Sequence, residues 1–470
     1  MSGSDKVWVI RGGGLPAWAA AALLAKTLPS SHSVLIEDAV PPALGEEPEV
    51  VIADPDGVLV QLADGADLLA QGHGGFFLGS LLRNWCDGRD IAVVEQEPLP
   101  GIDGVALTDV VLRAAHQSPA APDYAALLAP LQFQARVMAA GRYAHPSPDR
   151  QSPRSLLRPS LMLDARVLTA RLRDIALRAG VRETPEDARE VEAFMTLETR
   201  ANGVFSGDGD GDWTGRLGYD RCLTMRYVGG DHTPRLDMAN LVEGLVSRST
   251  LPGGGFASLA YAADRTTADV AKAALAAWLG DVDVATQSDV VLAPRLNTHP
   301  WSGCHLALGP AAARFGDGLG LDSVLLERQL TQLVASLPGA SEQISACAEA
   351  YNEAVVRDIA HRADRLHLIL LSGSQGQRLA PAGDDLARRI AQFTSRNAGV
   401  GLDGDPYDAQ HWIMLMASLG LMPRRYDIQA DRLDIKAAMA SLGRMVIAFD
   451  QTLAALPAHS RFIDRLCEGG

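Results

Sequence analysis

Apolar positions follow two rhythms along this chain, short continuous runs in its first part and helix-spaced stripes in its last. Residues Lys6 to Lys26, KVWVIRGGGLPAWAAAALLAK, read as a buried strand, a triple-glycine turn and an alanine-rich helix, and the run SVLIED follows as a second strand. Between Pro41 and Gly104 the pattern is less regular: EVVIAD, GVLVQL and DIAVVE read as strands around a glycine-rich turn, QGHGGFFLG. The Pro- and Ser-rich stretch 145–160 reads as a surface linker. LDARVLTARLRDIALRAGV then carries apolar residues at helical spacing and ends at Gly180, a good helix stop. Residues 201–260 hold several turns, among them SGDGDGDW and LPGGGFAS, and from Ser323 onward the chain is mostly amphipathic helix, including the segment around Trp412. No internal repeat of fixed period is present. Strands alternating with helices, followed by helices alone, place the chain in the α/β class.

The first turn has a mechanism. Gly12 allows the sharp bend, Gly13 extends the glycine run, Gly14 lets backbone approach a pyrophosphate, and Ala17 stands where a third glycine would pack helix on strand. The helix start offers free N–H groups and a positive dipole end to phosphate. Glu37, near the end of the second strand, is placed to accept from a ribose hydroxyl. Two residues work against this pattern: Pro16 removes one N–H from the cradle, and Arg11 puts a charge at a strand end.

Composition narrows the function classes. A chain of 470 residues, 47% hydrophobic and 21% charged, is ordinary for a globular protein. Its net charge of −15 gives no overall attraction to nucleic acid or an anionic membrane. Cys86, Cys222, Cys304, Cys347 and Cys467 are scattered singly, as in neither a disulfide framework nor a zinc site. With no secretory leader and no uncharged run long enough to span a bilayer, the expected location is cytoplasmic. The acidic turn SGDGDGDW lacks the spacing and closing glutamate of an EF-hand. His361 and His367 are six apart on one helix, the wrong spacing for a shared metal, and His411 beside Trp412 reads as a packing or surface residue. No metal is expected, and no nucleophile elbow, HExxH or Walker loop occurs.

The second half of the chain resembles a known family. WSGCHLALGPAAARFGDGLGLDSVLLERQLTQLVASLPG (301–339) is similar to the segment W-x-x-N-C-V-A-I-G-x-A-A-G-F-x-E-P-L-E-S-T-S of flavin-dependent tryptophan halogenases, with Trp301, Gly309, Ala311 and Ala312 matching. Tyr351-Asn352, Trp412 with Gly420, and PRRYDIQADRLD follow in the family's order. Upstream, Asp164, Ala165, Leu172, Arg173 and Gly180 match a family helix, while LGYDR and LLRNW resemble L-P-C-D-R and F-R-D-W. The resemblance implies a p-hydroxybenzoate-hydroxylase-like, Rossmann-type FAD fold with a substrate region and a helical C-terminal layer. Its cofactor contacts would be Gly12, Gly13, Gly14, Ala17, Glu37, Gly309 and Ala312. The FAD-binding fold would be discontinuous within 1–340, in pieces of 1–45, 155–225 and 290–340. Substrate-side segments 46–154 and 226–289 would be inserted, and 341–470 would form the helical region.

Halogenases of this family use FAD to make a hydroperoxide that halide attacks, and the hypohalous acid formed travels to a lysine beside the aromatic substrate. That lysine sits eight residues before the tryptophan of F-R-D-W, which here is Phe77 before Trp85. The glutamate of P-L-E-S-T, which serves the reacting ring, falls on Leu319, and the halide-binding Ser-Thr becomes Gly320-Leu321. Asp322 nearby is no substitute, because a carboxylate repels halide. W-x-W-x-I-P finds its counterpart in Phe256–Tyr261 without either tryptophan, and of the flavin loop G-V-G-E-[AS]-T only Gly45-Glu46 remains in ALGEEPEVV. The expectation is a catalytically silent homologue, a pseudoenzyme acting as a binder of a small aromatic molecule or as partner to an active relative or to itself. The sequence leaves FAD retention open. The alternative is an active FAD-dependent monooxygenase or halogenase with an altered site; a nicotinamide-dependent oxidoreductase built on the Gly12 turn is disfavoured by the second half of the chain.

Overall fold

Val7 to Ile10 is a continuous apolar run because the strand that contains it is covered on both faces. The computed structural model describes residues 6–86, 88–95, 99, 101–117, 123–184, 192–200, 211–316 and 318–468. In it β1 (Lys6–Arg11) leads through the glycine turn into α1 (Leu15–Thr27) and back to β2 (His32–Glu37), which pairs parallel with β1 from Lys6↔His32 to Arg11↔Glu37. On its other side β1 pairs parallel with Met195–Glu198. The sheet runs Trp301–Ser302, His305–Ala307, Met195–Glu198, β1, β2, Arg182–Thr184. All residues of α1 from Leu15 to Leu24 are buried. Its alanines leave room for the sheet on one side and the helix Ala165–Arg178 on the other. Asp164 caps that second helix by accepting from Arg166 and Val167 N–H, and Gly180 ends it at a φ of +93°.

The stretch after β2 departs from the sequence reading at two places. EVVIAD does supply a strand, β3 (Val50–Ala53), but GVLVQL is a helix, Val58–Ala63, that buries Leu59, Val60, Leu62 and Ala63. Such spacing fits one face of a helix as well as a strand, and a run this short does not separate the two. Conversely, QGHGGFFLG contains a strand, β4 (Gly74–Phe77), antiparallel to Ser160–Asp164. Gly74 permits the close pairing, since a Cβ there would lie 2.7 Å from Met162 O. LPGGGFAS is likewise mostly strand, Gly254–Tyr261, with its turn confined to the first residues. The acidic part of SGDGDGDW, residues 206–210, lies outside the described residues.

A second sheet of seven strands is ordered Asp283–Val291, Arg221–Val228, Gly254–Tyr261, Leu245–Leu251, Arg235–Asn240, Gly79–Cys86, Arg89–Val93, all antiparallel except Arg235–Asn240 beside Gly79–Cys86. The remaining chain is helical, as its pattern predicts, with Leu321–Ala335, Ile344–Ser372, Asp384–Arg396, Ala409–Ser418, Ile435–Ala455 and His459–Glu468. Several buried charges in this layer are paired. Arg389, fully buried, meets Asp405 at 2.6 Å and lies 4.3 Å over the Trp412 ring.

Candidate functional site

The glycine turn sits at the floor of a cleft of about 500 Å³ between α1, the helix Ala165–Arg178 and the loop after β2, lined by Trp18, Pro41, Leu44, Glu47, Arg173 and Glu183 among others. Gly12 and Gly13 are each confined by a neighbour, and Gly14 lies under the end of a flexible side chain. Gly12 has a φ of +122°, and a Cβ there would fall on Thr199 Oγ1. A Cβ on Gly13 would meet the backbone of Ala39 and Val40, and one on Gly14 would fall on the Glu47 carboxylate. Ala17 is buried without exposure in α1, against the core.

Glu47 therefore sits where the sequence predicts a pyrophosphate. Its Oε2 accepts from the Leu15 N–H at 2.8 Å. The next helical residue, Pro16, has no N–H to offer. Burial pushes the Glu47 carboxyl up to about 7, with Glu46 and Glu49 raising it further and the Leu15 N–H and Arg314 acting the other way. Glu37, the expected ribose acceptor, is also engaged, its Oε2 accepting from Arg11 Nε at 3.1 Å, so the charge that looks out of place at the end of β1 is met by that carboxylate. Gly309, at a φ of +59°, packs on Pro16 and donates its N–H to Gln329 Oε1 at 2.7 Å, while Ala312 is buried nearby. The turn residues, Gly309 and α1 are thus brought to one place. The signal for Glu47 was present in the acidic cluster GEEPE, whose charges look solvated until the loop's path is known.

A second centre lies where the family's reacting groups would be. Phe77 is 2% exposed and packs with Val50, Ile52, Met162, Leu236, Leu251 and Phe256 in an apolar cluster. Other members of that cluster, Val50, Ile52, Leu236 and Phe256, line a cavity of only about 20 Å³ together with Ser258 and Gly320. That is room for one water. Leu319 is 6% exposed, and a Cβ on Gly320 would lie 2.5 Å from Ile52 Cγ1. Asp322 is committed to backbone, accepting from Phe315 N–H at 2.8 Å and Gly316 N–H at 3.0 Å, and burial raises its carboxyl to about 6. Glu49 lines both the cleft and this small cavity and sits 3.6 Å from Arg226, which stacks on Phe256. Neither Glu49 nor Arg226 stands out in the sequence.

The histidines do not converge. His361 Nε2 is 3.2 Å from Asp403 O, His367 Nε2 is 3.0 Å from Ala380 O, and His411 accepts from Arg365 Nε at 3.0 Å while stacking on Tyr407. Burial and Arg365 push His411 well below the ordinary imidazole range, which keeps it neutral. Among the described residues no group of His, Cys, Asp or Glu is placed to hold a metal, and no helix is long and apolar enough to cross a membrane.

A sequence model of the tryptophan halogenase family matches residues 7–203 and 206–434. The chain belongs to this family. Its structure superposes on BrvH, a flavin-dependent halogenase from Brevundimonas sp. BAL3, with a TM-score of 0.86 over 98% of this chain and 99% of that one, at 20% identity. Xcc4156, a flavin-dependent halogenase from Xanthomonas campestris, gives 0.85 at 20% identity, covering 98% of each chain. Tar14, a tryptophan C-6 flavin-dependent halogenase of taromycin biosynthesis, gives 0.83 at 16% identity over 98% of this chain and all (100%) of that one. No curated protein matches in sequence. The fold is therefore the family's Rossmann-type FAD-binding architecture with a helical C-terminal part. FAD, which such folds hold by its pyrophosphate at the first helix, does not fit the turn as this chain folds it, because the Leu15 N–H and the space over Gly14 belong to Glu47.

Proposed function

We propose that this member of the tryptophan halogenase family does not halogenate and acts instead by binding, either of a small aromatic molecule or of a protein partner such as an active relative or a second copy. The observation that carries this reading is the packing of Phe77. At the position that the resemblance assigns to the lysine stands a buried phenyl ring that shares an apolar cluster with six other side chains. Delivery of an electrophilic halogen needs a polar group that can hold the oxidant beside the ring and a channel through which it arrives. Phe77 has no hydrogen-bonding atom, and the cavity lined by its cluster neighbours holds about one water. Leu319, at the glutamate's position, cannot take a proton from an arene. Asp322 keeps its carboxylate on the backbone of the 315–316 turn. Flavin, where bound, supplies the oxidising chemistry in this family, and this chain's own residues give its product no place to act.

The test is direct. Purified protein is incubated with FAD, a flavin reductase, NADH, bromide and indole, and the indole is analysed by mass spectrometry. We expect unmodified indole. Brominated indole above a reductase-only control would overturn the proposal, and flavin-dependent hydroxylation would establish the altered monooxygenase in its place.

A further inference from the structure

The loop Asp38–Pro48 closes over the glycine turn and is held there at several points. Asp38, at a φ of +56°, pairs with Arg200 at 2.9 Å, and Arg200 in turn grips Glu198 on the strand beside β1. Ala39 and Val40 lie directly on Gly13. Glu46 accepts from Ala43 N–H at 2.8 Å, Glu49 accepts from Gly45 N–H at 3.1 Å, and Gly45 O accepts from Arg314 Nη2 at 3.3 Å. The loop ends by setting the Glu47 carboxylate on Gly14 and on the first N–H of α1.

We propose that Glu47 is a built-in phosphate surrogate: its carboxylate occupies the phosphate seat of the glycine turn, and the cleft admits a dinucleotide only when the loop Asp38–Pro48 lifts that side chain away. Two acceptors compete for one seat, since the helix-start N–H that would take a phosphoryl oxygen is already taken by the Glu47 carboxyl oxygen, whether that carboxyl is ionised or protonated. The competition is also steric, because the Glu47 carboxylate already fills the space over Gly14 that a phosphate would need for its close approach. The charged groups facing Glu47 are Glu46 on its own loop, Glu49 just after it, Arg314, and Arg166, Arg173 and Glu183 on the lining of the cleft. The inference is independent of whether the apolar centre turns over.

The closed form carries a pH signature. A seated carboxyl at about 7 holds its proton more tightly than a released one near 4.5. Seating is therefore strongest at low pH and weakens as pH rises from 4.5 to 7. Nucleotide affinity should rise across that window and level off above it.

The experiment measures binding of FAD and of ADP by titration calorimetry across this range, for the full chain and for Glu47→Ala and Glu47→Gln. Loss of a charge-assisted hydrogen bond predicts that Glu47→Ala binds both probes roughly ten- to a hundredfold more tightly, with the pH dependence gone. Glu47→Gln keeps a neutral acceptor on the Leu15 N–H, so it should remain closed and weak while also losing the pH dependence. Equal affinity for wild type and Glu47→Ala would overturn the proposal. If Glu47→Ala does not fold, a wild-type affinity that is flat with pH overturns it by itself. Tight FAD binding by Glu47→Ala without bromination of indole would support the surrogate and leave the non-catalytic reading intact, whereas bromination would refute that reading alone.

Discussion

Gly309 shows how much a single missing methyl group can decide. It turns the chain at a φ of +59° directly against Pro16, and a Cβ there would lie 2.7 Å from the proline Cγ. Gly309→Ala combines a left-handed backbone with a clash against a rigid ring, so we expect a loss of about 2 kcal/mol or more, read as a lower urea midpoint with unchanged slope. Residues of this kind are legible in a sequence because one physical property, the absence of Cβ, is tied to one local geometry. Gly12 and Gly14 are legible for the same reason, and both stand where the turn needs them. Glu47 is not. A carboxylate's task depends on which N–H it meets, and here that group lies on Leu15, reached only through the path of the intervening loop. Arg11 and Glu37 show the same limit, each looking misplaced or functional alone and becoming an ion pair once β1 and β2 align.

At the scale of elements, β4 is the informative piece. Its last residue, Phe77, packs into the apolar cluster that β3, Ser160–Asp164 and the seven-stranded sheet build together. Introducing the lysine that the resemblance assigns here, Phe77→Lys would bury an ammonium among Val50, Ile52, Met162 and Phe256, with the adjoining cavity's carboxylate, Glu49, already facing Arg226 at 3.6 Å. We expect a loss of several kcal/mol, seen as a sharply lower melting temperature or insoluble expression, and no gain of bromination. Phe77→Leu keeps the cluster apolar and should cost less than about 1.5 kcal/mol. A stable, soluble Phe77→Lys protein would show that the cluster opens to water. The strand itself was hidden in the sequence by its glycines, which signal a turn when read locally but here allow close strand pairing. The helices after Ser323 were legible because their stripes run for three turns or more, whereas Val58–Ala63 is too short for its period to register.

Over the whole molecule, one hydrophobic core runs from Trp8 on β1 to Ile463 on the last helix. The final helix is tied back to the region of the apolar centre. His459 Nε2 accepts from the buried Phe76 N–H at 3.1 Å, and Phe462 packs edge-on against Phe76 and Tyr143, which stack 4.2 Å apart. A chain ending at Leu456 would leave that N–H without its acceptor and strip one face of the aromatic stack. We expect a stability loss of about 3 kcal/mol or more and new protease cleavage near Gly74–Phe77. Unchanged urea and proteolysis profiles would show the last helix to be dispensable. Family membership was legible from the order of scattered framework residues, because packing at 20% identity still demands the same few shapes. A carboxylate tethered beside α1 meets the Leu15 N–H at an effective concentration set by the loop and not by supply. Most dinucleotide-binding folds draw part of their stability from a ligand and vary with its supply. By engaging the first N–H of its own α1 from within, this chain would lean less on surrounding flavin for its folded population than a fold whose helix start waits for a ligand.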